Sequence, residues 1–141
     1  MKNRLVFLVL LLFSCNKSTG GQQYETWKLI EMTGQTVDSK KKGVEMEWQA
    51  SYLLDPNGRF TKRRDRNGVL NEVYGSYETQ ELSDGKYLML RHDKDNSLIG
   101  NCDSGLTEVL KYDKNRLSGN WWMCDGPGLL YERKDENTAD K

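Results

Sequence analysis

Met46-Glu47-Trp48-Gln49-Ala50-Ser51-Tyr52-Leu53-Leu54 decides the fold. Met46, Trp48, Ala50, Tyr52 and Leu54 recur at every second position, with Glu47, Gln49 and Ser51 between them. Successive side chains of a strand point to opposite faces, so this alternation predicts a strand with one face packed and one in water. Asp55-Pro56-Asn57-Gly58 follows. Proline presets φ and Asn-Gly tolerates positive φ, so the chain turns back into Arg59–Asp65 as a hairpin.

The same pattern continues on both sides. Thr26–Thr33 predicts a strand, and the polar, lysine-rich stretch Gly34–Gly43 predicts a loop. After Arg66-Asn67-Gly68, Val69–Leu82 reads as a long strand bent at Gly75. Ser83-Asp84-Gly85 returns it into Lys86–His92. Turns at Asp93–Asn96, Asp103-Ser104-Gly105, Asp113-Lys114-Asn115 and Asp125-Gly126-Pro127-Gly128 bound further strands. These are Ser97–Cys102, Leu106–Tyr112, Arg116–Cys124 and Leu129–Arg133. About nine short strands with hairpin-length connections define an all-β, antiparallel up-and-down meander. An open meander exposes two edges and closure removes them, so a small closed barrel is expected, with a β-sandwich as the runner-up.

The N-terminus carries a different signal. Lys2 and Arg4 precede the unbroken apolar run Leu5–Phe13. The run is too short to span a bilayer and has the layout of a cleaved secretory signal over residues 1–14. Leu12-Phe13-Ser14-Cys15 resembles the lipobox of bacterial lipoproteins: an apolar residue three places before the cysteine and a small one directly before it. That resemblance implies acylation of the Cys15 thiol and a mature chain beginning there. Acyl chains contribute about 0.8 kcal/mol per buried methylene, which is what holds such a protein on a membrane. Residues 15–23 are polar and rich in Gly, Ser and Thr, the composition of a flexible tether. Surface-exported lipoproteins of some bacterial groups carry acidic residues directly after the cysteine. None precedes Glu25 here, so the resemblance implies the periplasmic face of the outer membrane.

From Cys15 onward the chain is one domain long, with residues 24–134 as the barrel and 135–141 as a polar tail. The chain's 21 basic residues less Lys2 and Arg4 leave 19 against 21 acidic ones. That balance gives no reason to expect nucleic acid or an anionic lipid surface as partner.

Thr26-Trp27-Lys28-Leu29, the Asn57-Gly58-Arg59-Phe60 hairpin, Gly75-Ser76-Tyr77 and the closing Leu130-Tyr131-Glu132-Arg133 occur in an order that resembles lipocalin-like lipoproteins of Bacteroidota. The resemblance implies a small barrel able to hold an apolar ligand. Function does not transfer with a fold, so the ligand has to be argued from the residues.

Cys102 and Cys124 are the cysteines that remain after Cys15. In an exported chain such a pair is expected to be bridged. A zinc site using both with His92 has too few ligands and no Cys-x-x-Cys spacing, so no metal and no cofactor are expected. Asp93-Lys94-Asp95-Asn96-Ser97 starts like a calcium loop, but Leu98 and Ser104 stand where glycine and a bidentate glutamate belong, which leaves a polar turn.

Catalysis has little to work with. His92 is the single histidine, and no nucleophile-elbow or phosphate-binding glycine loop is present. Glu45, Glu47, Glu78 and Glu81 fall in loops or on solvent-facing strand positions, so a glycosidase carboxylate pair is not expected. An enzyme would need a polar cleft in which His92 faces a carboxylate.

In Arg59-Phe60-Thr61-Lys62-Arg63-Arg64, Lys62 and Arg64 share a face with Phe60. If Phe60 faces the core, both cations point into the barrel, where they could hold an acidic head group; otherwise they guard an edge strand. Adjacent Trp121 and Trp122 on one strand would face opposite ways, leaving one as a partner surface. Two functions from different classes follow. One is a membrane-anchored binding barrel for a small, largely apolar ligand, lined by Trp48, Tyr52, Arg64, Tyr77 and Trp121. The other is a non-catalytic structural or protein-interaction module of the envelope with a filled core.

Overall fold

The computed structural model describes residues 23–36 and 38–135. Lys2, Arg4, the apolar run, Cys15, Val37 and residues 136–141 lie outside the described residues. Nine strands form among the described residues: β1 (Glu25–Thr33), β2 (Lys41–Lys42), β3 (Gln49–Leu54), β4 (Arg59–Arg66), β5 (Val69–Leu82), β6 (Gly85–His92), β7 (Thr107–Asp113), β8 (Arg116–Gly119) and β9 (Gly128–Lys134). The sheet runs in order from β1 through β3 to β9, and β9 pairs back onto β1 from Thr26↔Lys134 to Thr33↔Gly128. Eight antiparallel strands therefore close on themselves in an up-and-down barrel, and the sandwich is excluded. β2 is a short addition to β1 through Glu31↔Lys42 and Met32↔Lys41.

The alternation that predicted the fold is also what fills it. Met46, Trp48, Ala50, Tyr52 and Leu54 are all buried, while Glu47 is exposed and Gln49 and Ser51 are partly so. They meet Trp27, Leu29, Phe60, Leu88, Leu90, Leu110, Leu117 and Tyr131 in one core. Phe60 lies opposite Gly75 across the β4–β5 ladder, and a Cβ at Gly75 would stand 2.4 Å from the Phe60 ring and 2.1 Å from the Arg91 carbonyl. Glycine is required at 75 by that close approach.

Four expectations are corrected. Ser97–Cys102 forms no strand. This segment crosses the barrel end with Leu98 buried, and the Leu98 carbonyl accepts a hydrogen bond from Lys62 Nζ. Side chains inside the barrel thus satisfy backbone that a neighbouring strand would otherwise pair. Arg116–Cys124 is not one strand either: β8 stops at Gly119, and Trp121–Cys124 forms a short 3-10 turn. Asp125 then takes positive φ, at 72°. Cys124 is bridged to Cys102 (S–S 2.13 Å), which ties this turn across the mouth of the barrel. Trp121 and Trp122 are consequently neighbours on a helical turn, not on opposite faces of a strand. Even so, Trp121 packs against the core while Trp122 is exposed. The loop Gly34–Gly43 contains β2 at its end.

Candidate functional site

The barrel interior holds charge. Lys62 from β4 and Glu108 from β7 pair inside it, with Nζ 2.8 Å and 3.0 Å from the two carboxylate oxygens. Tyr52 from β3 donates its hydroxyl to Glu108 Oε2 at 2.6 Å. His92 Nε2, at the end of β6, lies 2.7 Å from Glu108 Oε1. Four donor contacts from two strands and the end of a third thus converge on one buried carboxylate.

The protonation states follow from the contacts. Burial alone would raise the Glu108 carboxyl. The Lys62 charge and the hydrogen bonds from His92, Lys62 and Tyr52 outweigh it and bring the group down to about 2. Burial likewise pulls the Lys62 ammonium below its ordinary value, and Glu108 opposes that pull. The full set of donors on Glu108 decides for the ionised pair. Burial first, then the Glu108 charge, push Tyr52 well above the ordinary phenol value, so Tyr52 is a donor.

The tautomer of His92 is fixed by a neighbour. Asn96 Nδ2 lies 3.2 Å from His92 Nδ1. The Asn96 amide is itself oriented: Nδ2 donates to the Lys94 carbonyl at 3.0 Å and Oδ1 accepts from the Leu98 N–H at 2.9 Å. Nδ1 therefore accepts, Nε2 carries the proton, and the imidazole is neutral.

The predicted ligand-lining residues fall into three places. Trp48 and Arg64 stack at the barrel mouth, the guanidinium 4.5 Å from the ring centroid. Arg64 also donates to the Ser97 and Leu98 carbonyls at 3.2 and 3.4 Å. Tyr52 and Trp121 line one small void together with Glu108, Leu110, Pro127, Leu129 and Tyr131. The space there open to the centre of a water molecule is about 10 Å³, enough for about one water. Tyr77 belongs to neither place, since its hydroxyl donates to the Asp55 carbonyl at 2.8 Å, by the β3–β4 turn at the opposite end of the barrel.

Trp121 closes the void as a plug. A Cβ at Gly100 would come within 2.9 Å of its ring, and one at Gly126 within 2.3 Å. Two glycines therefore make the slot in which the indole lies. Among the buried side-chain atoms described, Tyr131 OH, Trp48 Nε1 and Arg64 Nε have no hydrogen-bond partner.

Lys62 and Arg64 share the inward-leaning face of β4, as their phase with Phe60 predicts. Lys62 meets an internal carboxylate there. Glu108 went unrecognised in the sequence. The available signal was its phase: Glu108, Leu110 and Tyr112 alternate on β7, so a glutamate stands in a core position. Glu45, Glu47, Glu78 and Glu81 are exposed as expected. His92 does face a carboxylate, but inside a closed core in place of a cleft. Among the described residues, no three of His, Cys, Asp and Glu stand together so as to hold a metal ion.

Fold and interior together define a class: a small closed antiparallel barrel with a sealed, ionised core. The chain matches no protein-family model, and no curated protein or solved structure is significantly similar to it.

Proposed function

We propose that this chain is a lipid-anchored module of the bacterial cell envelope that works by binding at its outer surface, with a filled barrel as a rigid support. One observation carries the choice between an internal ligand and an external partner. Tyr52, Phe60, Lys62, Leu88, Leu90, Glu108, Leu117 and Tyr131 occupy the interior, each at most 2 % exposed. A drug-sized ligand needs a cavity of about 300 Å³ or more, against about 10 Å³ open to water centres beneath Trp121. The acceptors of Glu108 are already taken by the protein's own donors, which leaves the cluster a structural role. The lipobox-like Cys15 and the signal before it support the anchor. Both chain ends of the barrel, at Glu25 and Lys134, also lie at one end, since Thr26 pairs with Lys134. A tether there leaves the disulfide-tied mouth facing away from the membrane.

The test has two arms. Expressed in a bacterium fed labelled palmitate, the chain is expected to take up label and sediment with membranes. Cys15→Ala is expected to lose both properties. Thermal melting against a panel of fatty acids is expected to show no shift. A melting point raised by several degrees by any of them would overturn the filled-core reading in favour of an internal apolar ligand.

A further inference from the structure

The stagger of the closed barrel leaves several stretches of strand paired on one side only, and the first half of β5 is one of them. β4 pairs with β5 from Arg59↔Ser76 up to Arg66↔Val69, whereas β6 pairs with β5 only from Gly75↔His92 onward. Among the described residues, Val69–Tyr74 therefore has a strand on one side and none on the other.

The turn sets which backbone groups face the empty side. Asn67 and Gly68 both have positive φ, at 55° and 79°. This two-residue hairpin makes Arg66 and Val69 a hydrogen-bonded pair. Hydrogen-bonded and non-bonded pairs then alternate, so Leu70, Glu72 and Tyr74 point their N–H and C=O groups outward. The Tyr74 carbonyl confirms the phase, because it accepts from the Asp93 N–H at 3.0 Å on that side. Leu70 and Glu72 have no backbone partner there among the described residues. Edges are normally guarded by lysine, proline or a bulge. Val69-Leu70-Asn71-Glu72-Val73 has none of these; its one charge, Glu72, is paired with Arg63 of the same chain, and Val69 and Leu70 are each 61 % exposed.

We infer that this edge is a strand-addition surface whose partner is the same edge of a second copy of the chain. The segment is self-complementary in one antiparallel register, with Asn71 on the two-fold axis. Leu70 then stands opposite Glu72 of the second copy, and each symmetric pair exchanges both of its hydrogen bonds. Val69 stands opposite Val73, so the interior-side face joins apolar to apolar. Glu72 meets no like charge, and its own charge is answered within the chain by Arg63. Moving the axis to Glu72 would set that carboxylate opposite itself, which is destabilising. Moving it to Leu70 would leave Glu72 opposite the turn at Gly68.

The inference deepens the reading of the chain as an interaction module and rests on it, while its experiment reads the edge alone. A residue on the axis at a non-hydrogen-bonded position faces its copy at a Cα separation of about 4.5 Å, within disulfide range. The full chain carrying Asn71→Cys is oxidised mildly in vesicles and run on a non-reducing gel. Ser83→Cys, on the exposed β5–β6 turn, is the control. Asn71→Cys is expected to form a linked dimer about ten-fold faster than the control. Adding Leu70→Pro, which removes an outward N–H and spares the β4 ladder, is expected to bring the rate down to the control. Leu70→Lys serves the same purpose should the proline variant not fold. Equal rates for the two cysteines, a dimer indifferent to both Leu70 variants, or linkage to a different protein would each overturn the proposal. Such an outcome with Cys15-dependent membrane attachment intact removes the self-association and leaves the anchored module standing.

Discussion

Lys62 and Glu108, 46 residues apart in the chain, form an ion pair inside the barrel with side chains 0 % and 2 % exposed. Two isolated charges in such a place would be prohibitively costly. They persist because Tyr52, His92 and the Leu98 carbonyl complete the hydrogen bonding around them. The pair joins β4 to β7 across the interior, and the His92 bond draws β6 in as well.

Removing one partner leaves the other charged and alone. Lys62→Met and Glu108→Leu, made singly, are each expected to lower unfolding free energy by about 3–5 kcal/mol. The double variant is expected to recover part of that loss, because no unpaired charge remains. Urea denaturation of the four proteins reads the coupling, and additive losses would show that the two charges do not depend on each other.

Acid is expected to attack the same point. Glu108 titrates lower in the folded chain, at about 2, than its ordinary 4.5. A depressed carboxylate contributes stability above the unfolded value and loses it as pH falls toward the folded one. Stability should therefore decline between about pH 4.5 and 2, by on the order of 3 kcal/mol from this group. Chemical denaturation across that range checks it. In Glu108→Gln the decline should shrink by the same amount.

Tyr52 and Tyr131 are both buried phenols with different expectations. Tyr52 donates to a carboxylate, so Tyr52→Phe is expected to cost about 2 kcal/mol. Tyr131 OH makes no hydrogen bond of normal geometry and has only the Tyr52 hydroxyl beside it, so Tyr131→Phe is expected to be close to neutral. Thermal melts of the two variants give the comparison directly.

Cys102–Cys124 closes a loop with a sequence separation of 22 residues. Loop entropy assigns such a bridge about 3 kcal/mol. Replacing both cysteines by serine is expected to lower stability by that amount and to loosen the turn that holds Trp121. Acrylamide quenching should then rise in the double-serine protein. The same quenching in Trp121→Phe, with and without the bridge, identifies Trp121 as the source of the rise.

The neutral, Nε2-protonated form of His92 is readable by nitrogen NMR at neutral pH. Nδ1 should resonate as an unprotonated nitrogen and Nε2 as a protonated one. Asn96→Ala removes the donor to Nδ1 and should shift the Nδ1 signal while leaving Nε2–H on Glu108.

The amino-acid sequence by itself determined which segments are strands and which face of each is apolar. Met46–Leu54 and the Asn-Gly turns at 57–58 and 67–68 act through local geometry: the two-residue period of a strand and the positive φ of a turn. Local geometry also placed Lys62 and Arg64 on the side of Phe60. Where Glu108 points was legible in principle, because it keeps phase with Leu110 and Tyr112. What it pairs with was not, since strand closure alone brings β7 across from β4. The 3-10 turn at Trp121–Cys124 and the loss of a strand over Ser97–Cys102 were likewise decided by tertiary structure. A bridge between distant cysteines and a core side chain bonding the Leu98 carbonyl outweigh the local preference for a strand there. The free edge of β5 has the same origin. A strand's length is written in its sequence, but whether its neighbour reaches as far depends on how the sheet staggers when it closes.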